Sequence, residues 1–462
     1  MLTDSAENVK LIFEEGSKTA RSWPTTNTFK FARRKSEDLS FITGTDMTMT
    51  SISVFSALLI LCVALASAGT SCNRQEMSRE NLQKLAFANN ELAFNLHRKL
   101  VSGSPKNVFF SPMSISSAFA MLFYGAKGNT AQELRKALGY EKASIPNDLI
   151  HATFNCFLNE VLKSGDSSEG YVLNSANAVL VDKHLELLEE YRSDVQELYK
   201  AVVRDVDFLR EAPKVVNEIN AWVREKTNGM IEKLFDELSP ATVLVLLNAV
   251  YFKGTWERQF EPSKTRNEIF YNNGLESTGK SVPLMHLTSR FPYASVDNFQ
   301  ALELPYKGEN ISMLILLPNQ RDGLRALENS LTPEKLAEIQ RELYKTKVEV
   351  SLPKFKMEFE KELSPEVKAL GANKIFSAGS ADFSGMTPSK NVCVTQVIHK
   401  AIIEVNEEGS EAAAVTGIVF TRMRPMPDMT AKFRADHPFL FAIVEKGSKS
   451  NMILFLGRVN NL

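Results

Sequence analysis

Residues 399–432 read HKAIIEVNEEGSEAAAVTGIVFTRMRPMPDMTAK, and the fold turns on how they are understood. His399 to Asn406 is a short, β-branched-rich run with the character of a strand. The residues after Asn406 break the local rules of a folded domain. Glu411 to Val415 favours helix by propensity, whereas Gly417, Pro425 and Pro427 mark an exposed loop. A connection this long inside a compact domain is usually functional. The side chains from Ser410 to Thr416 are mostly small, so this stretch can slide between two strands at little steric cost and become a strand itself. That option demands a sheet able to open.

Working outward, apolar runs bounded by turns predict strands at Val172–Val181, Val243–Phe252, Ser312–Leu317, Val348–Leu352, Phe439–Val444 and Met452–Val459. Val243–Phe252 (VLVLLNAVYF) is apolar on both faces apart from Asn248, which predicts a central strand covered on both sides. Helical spacing appears at Leu82–Leu100, where Leu85, Leu92, Leu96 and Leu100 share a face, and at Ser114–Tyr124. Further helices are predicted at Leu185–Tyr199, Ala212–Thr227 and Pro333–Leu343. Thr130-Ala-Gln-Glu133 has the pattern of a capping box, with Gly139 as the stop. No Gly/Ser linker or repeat divides residues 80–462, so a single α+β domain is expected there.

The composition is that of an ordinary globular protein: 462 residues, 44% hydrophobic, 24% charged, 22 Gly and 18 Pro. Disordered, collagen-like and disulfide-scaffold classes are excluded. Lys+Arg at 54 against Asp+Glu at 55 leaves a formal charge of −1, so no global field draws the chain to nucleic acid or an anionic membrane. Arg33-Arg34-Lys35 is the one local basic run. The histidines at 97, 151, 184, 286, 399 and 437 form no HExxH-like pair, and no G-x-S-x-G, P-loop or G-x-G-x-x-G is present. The expectation is a non-enzyme with no catalytic residues, metal or cofactor.

Val54–Ala68 (VFSALLILCVALASA) is an apolar run ending in an A-x-A site, as in a cleaved signal peptide. A membrane span needs about 20 apolar residues, and this run stops short. Residues 1–46 are polar and precede Met47 and Met49. The expectation is that translation starts at one of these methionines and that residues 1–46 are not native, the alternative being an extended leader. Residues 47–68 are then the signal peptide of a secreted chain that retains Cys72, Cys156 and Cys393. An odd count leaves at least one thiol without an intramolecular partner.

Asn107-Val-Phe-Phe-Ser-Pro-Met-Ser114, Leu247-Asn-Ala-Val-Tyr-Phe-Lys-Gly-Thr-Trp256, Leu352-Pro-Lys354, Asp382-Phe-Ser-Gly385, His399-Lys-Ala401 and His437-Pro-Phe439 occur in the order of the serpin signatures. The chain from about Leu85 to Leu462 therefore resembles serpins, in flavour the secreted arthropod inhibitors. The resemblance implies three β-sheets, eight or nine helices and an exposed reactive-centre loop. A serine protease that cleaves the loop is dragged along as the loop inserts into the large sheet, so the protein acts as a suicide substrate. It further implies a hinge at Glu407, Gly409, Ser410, Glu411, Ala412, Ala413, Ala414 and Val415. A polar shutter falls on Ser111, Ser114, Asn248 and His399, and a breach ion pair between Lys354 and Glu407 lies beside Trp256.

Asn310-Ile311-Ser312 is the glycosylation sequon, and Asp148–Lys163 holds only Lys163 where heparin-activated members are basic, so heparin activation there is not expected. Forward counting from Gly409 puts the scissile bond after Met423, for chymotrypsin-, cathepsin- or elastase-like targets. Backward counting gives Arg424, which Pro425 disfavours. Arg422 remains for trypsin-like enzymes. The chain is expected to act as a monomer, and the intact Ala412-Ala413-Ala414 favours an inhibitor over a non-inhibitory carrier, chaperone or storage protein.

Overall fold

The computed structural model describes residues 79–161, 170–409, 430–448 and 450–462. The expected leader 1–46, the signal segment 47–68, Cys72, Lys163, the hinge residues Ser410, Glu411, Ala412, Ala413, Ala414 and Val415, and the scissile-bond candidates Arg422, Met423 and Arg424 lie outside the described residues.

Numbered in chain order, the helices among the described residues are α1 (Arg79–Leu100), α2 (Pro112–Gly125), α3 (Gly128–Ala137), α4 (Asn147–Cys156), α5 (Glu189–Tyr199), α6 (Phe208–Lys226), α7 (Leu324–Ser330), α8 (Pro333–Glu342) and α9 (Ser364–Ala369). The strands form two hydrogen-bonded systems. One is five-stranded, in the order β10 (Phe355–Glu362), β11 (Gln396–Val405), β4 (Leu244–Gly254), β2 (Tyr171–Asp182) and β3 (Val202–Val206). The other runs β1 (Val108–Phe110), β14 (Ile453–Val459), β13 (Phe439–Glu445), β8 (Ile311–Pro318), β7 (Phe299–Pro305), β6 (Gly279–Val296), β9 (Tyr344–Pro353) and β12 (Ala431–Arg434), with β5 (Arg266–Tyr271) on β6. The 18-residue β6 joins two sheets. Its earlier part pairs with β5 and β9, and Tyr293–Val296 pairs with β7. With the five-stranded sheet this makes the three sheets of an α+β fold.

Side-chain alternation along β4 divides the core in two. Leu244, Leu246, Val250 and Phe252 enter the larger cluster, beneath which lies α2, while Val245, Leu247, Ala249 and Tyr251 meet Phe208, Val215, Val216, Ile219 and Val223 of α6. A strand sandwiched in this way has no polar face to show, which is why its sequence is continuously apolar. Each aliphatic side chain so buried contributes about 1.5–3 kcal/mol. Helix α2 is enclosed almost all round, and Ser111 caps it by accepting the Ser114 N–H at 3.1 Å, with Pro112 in the first turn.

Several sequence expectations need correction. Thr130 and Glu133 make no capping box: α3 begins at Gly128, Lys127 is its uncapped N-cap, and both side chains reach far along the chain instead. Thr130 Oγ1 accepts the Asp382 N–H at 2.9 Å, and Glu133 Oε2 accepts the Asn373 and Lys374 N–H groups at 2.8 Å each. Helix α5 starts at Glu189, not Leu185, and α2 starts two residues before Ser114. Strands β1, β3, β5, β6, β7, β10 and β12 were not foreseen. Cys156 is disulfide-bonded, and Cys393 is a free, half-buried thiol.

Because buried Thr130 holds the Asp382 backbone N–H, Thr130→Val should cost about 1–3 kcal/mol in urea unfolding, and Thr130→Ser, which keeps the hydroxyl, should cost less. A Thr130→Ser loss as large as that of Thr130→Val would show that the methyl packing, not the hydroxyl, matters.

Candidate functional site

The residues flagged by the sequence converge on one seam. In the five-stranded sheet β11 runs parallel to β4, while β10 and β2, outside them, are each antiparallel to their neighbour. His399 stands opposite Asn248 across the seam, and Asn248 stands opposite Asn177 on β2. By the same alternation that sorts the core, Ser175, Asn177, Asn248 and His399 share the face turned toward α2. They form a polar row where an apolar one would pack.

The row is hydrogen-bonded, and its proton positions are set by its donors. The Ser111 backbone N–H points at His399 Nε2 at 3.1 Å, so Nε2 is the acceptor. His399 Nδ1 therefore carries the proton and donates to Asn248 Oδ1 at 2.6 Å. With its oxygen so assigned, Asn248 donates from Nδ2 to Ser114 Oγ and to Asn177 Oδ1. Ser114 Oγ also lies 3.3 Å from both Ser175 Oγ and Asn177 Oδ1. Ser111 Oγ donates to the Leu454 carbonyl at 2.7 Å, which ties the cluster to β14. Burial lowers the His399 pKa to about 3, so the ring is neutral at neutral pH. Ser111, Ser114, Asn248 and His399 thus lie together in one hydrogen-bonded row. Ser175 and Asn177 complete the cluster. Sequence reasoning passed over them, although polar residues inside the apolar run of β2 carry the same signal as Asn248.

The upper end of the seam is closed by the chain leaving β11. Trp256 Nε1 donates to the Asn406 carbonyl and the Trp256 N–H to the Glu408 carbonyl, both at 3.0 Å, and the Phe260 N–H donates to the Glu407 carbonyl at 2.9 Å. Gly409 turns here with φ +89°, and a Cβ at that position would run into the Gly254 carbonyl oxygen. Only glycine fits. The Trp256 indole stacks on Tyr306 at 4.5 Å between ring centroids and meets Phe260 edge-on. Glu407 pairs with Lys354 Nζ at 2.9 Å and accepts from Thr265 Oγ1 at 2.9 Å, a partner with no sequence signal. Burial pushes the Glu407 carboxyl up. The Lys354 ammonium, a backbone N–H and the Thr265 hydroxyl outweigh it and hold the group below its ordinary value.

The chain leaves this site at the end of β11 and re-enters a different sheet at β12, which pairs in parallel with β9. Asn310 is exposed in the turn before β8. Helix α4, which overlaps Asp148–Lys163, carries neither Lys nor Arg.

Known proteins share this architecture. The family profile described as Serpin (serine protease inhibitor) matches residues 87–462. Iripin-8 of Ixodes ricinus is 39% identical over 404 residues, covering 86% of this chain and 98% of its own length. Serpin B6 of Macaca fascicularis is 41% identical over 381 residues, covering 82% and 99%. Intracellular coagulation inhibitor 2 of Tachypleus tridentatus is 39% identical over 393 residues, covering 84% and 93%. Among solved structures, human thyroxine-binding globulin complexed with thyroxine superimposes with a TM-score of 0.73 at 31% identity, covering 82% of this chain and 99% of that one. Uncleaved ovalbumin gives 0.72 at 31%, covering 82% and 100%.

The buried neutral imidazole makes stability depend on pH. Between about 3 in the folded state and 6.5 unfolded, the unfolded chain binds the extra proton, so this contribution is complete above pH 6.5 and is lost as pH falls. The Glu407 contribution persists until pH drops below the ordinary value of 4.5. Between pH 6 and pH 4.5 His399 should contribute about one proton, roughly 1.4 kcal/mol per pH unit, to the fall in urea stability, beside that of half-buried His151, whose pKa is lowered to about 4, and His399→Gln should remove its own component only. An unchanged slope in His399→Gln would rule out a neutral, buried ring.

Proposed function

The chain belongs to the serpin family, and from that premise we propose that it is a secreted inhibitor of serine proteases that works as a suicide substrate. The observation that carries the proposal is the parallel β4–β11 seam. A chain that leaves β11 and folds back runs antiparallel to β11, and therefore to β4 as well. One inserted strand then converts a single parallel contact into two antiparallel ladders, the more stable kind per residue. The small residues after Gly409 suit that passage, since a charge there would be costly to bury unpaired.

In this proposal Glu407, Gly409 and Ser410 to Val415 are the hinge, Ser111, Ser114, Asn248 and His399 the lock at mid-seam, and Lys354, Glu407 and Trp256 the latch above it. Attack of the protease serine on the scissile carbonyl forms the acyl-enzyme and releases the new amino terminus on the carboxy-terminal side. Insertion then carries the acylated enzyme along before water cleaves the ester. The reactive bond follows Met423 for enzymes that accept an apolar side chain, or Arg422 for trypsin-like ones, with Arg424 disfavoured by Pro425. The protein is not itself a catalyst and uses no cofactor. It acts as a monomer, and Asn310 carries glycan if the sequon is used. The alternative is a non-inhibitory serpin, such as a carrier, and hinge composition argues against it.

Incubation with a panel of chymotrypsin-, elastase-, cathepsin G- and trypsin-like proteases should give complexes that survive boiling in detergent. Mass spectrometry of the released carboxy-terminal peptide should begin at Met423 or Arg424. Met423→Ala should abolish trapping of the apolar-specific enzymes and Arg422→Ala that of trypsin-like ones. Ser410→Arg should leave folding intact while turning inhibitor into substrate. Loop cleavage without trapping should raise the thermal midpoint by on the order of tens of degrees. Cleavage of the wild type with neither complex nor midpoint shift would favour the non-inhibitory alternative.

Secretion rests on Val54–Ala68 alone. Amino-terminal sequencing of secreted protein should start at or near Gly69. Recovery of residues 1–46 outside the cell would overturn both the cleavage and the start-site proposals.

A further inference from the structure

A cleft of about 520 Å³ opens away from the seam, between the end of α1, the Ser102–Pro105 turn, α7 and the last residues of β14. Four guanidinium groups line it, Arg98, Arg321, Arg325 and Arg458, against two carboxylates, Asp322 and Glu328. Glu328 is already committed: it is 3% exposed and holds His97 Nε2 at 2.9 Å and Arg458 Nη1 at 3.4 Å. Arg458, 5% exposed, spends its other donors on the carbonyls of Ser104 and Lys106. A buried ion pair of this kind is weak evidence for stability. What it does here is fix the turn that forms one wall.

Of the remaining guanidinium groups, Arg98 and Arg321 are held in place, whereas Arg325 brings an unpaired charge to the rim. Among the described residues Arg98 donates only to neutral acceptors, the Leu331 carbonyl at 2.9 Å and Asn95 Oδ1 at 2.6 Å. Arg321 lies 3.8 Å over the Tyr271 ring and bonds Glu276 at 2.9 Å. Arg325 is exposed and has no partner among the described residues. At Gly103, φ is +68° and a Cβ would meet nothing within 4 Å, so the backbone faces open space. Val101, Leu324 and Pro438 add an apolar wall. Preorganised guanidinium groups recognise tetrahedral oxyanions through paired, charge-assisted bonds, and fixing them beforehand lowers the entropy lost on binding.

We propose that this cleft binds a small phosphate or sulfate ester, the anion held by Arg98 and Arg325 and the organic body against the apolar wall. The site does not depend on the inhibitory mechanism. Phenyl phosphate and phenyl sulfate serve as probes, with inorganic phosphate and phenol as controls at matched ionic strength, read by calorimetric titration of the full chain. One or both esters should bind saturably, and the tighter of the two identifies the oxyanion. Inorganic phosphate should bind more weakly and phenol not at all. Arg325→Glu should weaken ester binding at least about tenfold, as expected for losing a bond to a charged group. Ser102→Asp, also exposed, should weaken it too, whereas Arg341→Glu on α8, outside the cleft, should not. Absence of saturation, equal binding of phenol or inorganic phosphate, or equal weakening by Arg341→Glu would overturn the proposal.

Discussion

The hydrogen bond from His399 Nδ1 to Asn248 Oδ1 is the constraint on which the rest of the structure depends. It spans the parallel seam between β11 and β4 inside the five-stranded sheet, in a region sealed from water. In such surroundings a satisfied polar pair holds firmly and an unsatisfied one is expensive, so the sheet has two acceptable conditions, closed with every partner met or opened with new partners supplied. An apolar pair at the same register would have no such preference. It would let the strands slide by pairs of residues without penalty, and the seam would lose its single register.

The helix beneath determines whether that pair can form. Ser111 serves twice, its side chain capping α2 and its backbone N–H fixing the imidazole tautomer. Because the N–H at a helix start has no intrahelical partner, the histidine nitrogen satisfies a group that the helix itself leaves open. Helix start and sheet seam are therefore coupled through a single residue, and a shift of α2 alters the proton arrangement of the row. The upper closure is of a different kind. Lys354 is partly solvated although Glu407 is buried, so their attraction is screened from one side, and the main-chain bonds to Trp256 and Phe260 supply most of the direction.

Much of the fold was legible because long periodic or continuously apolar segments leave few options. Helices α1 and α8 and strands β4, β8, β13 and β14 fall close to their expected places. The unforeseen strands have identifiable causes. Pro283 and Pro292 interrupt the pattern of β6 yet sit within its ladders, and four-residue β12 is too short to show a period. The Thr130–Glu133 pattern misled because capping boxes are judged over four residues, whereas the actual partners of these side chains are 240 or more positions away. Asn248 stood out as a polar residue in an apolar strand. Asn177 offered the same cue but lay in a strand with several polar neighbours, and Thr265 offered none, since a threonine in a loop has many uses.

The requirement for glycine at position 409 links these parts. A side chain there would strike the carbonyl of Gly254 and the nitrogen of Trp256, so the strand end would lift from the top of β4. Glu407 and Glu408 would then lose the main-chain donors of Phe260 and Trp256, and side-chain contacts, the Lys354 ion pair and the Thr265 hydroxyl among them, would be left to hold the crossing. The mid-seam lock would be untouched, because no atom of residues 406–409 reaches it by hydrogen bond. Opening at the top and opening at the centre are accordingly separate events with separate physical causes, steric and main-chain in one case, desolvated side-chain bonding in the other. In the proposed insertion a strand entering from above would meet the first before the second, and the polar row, not the ion pair, would set how far the seam opens.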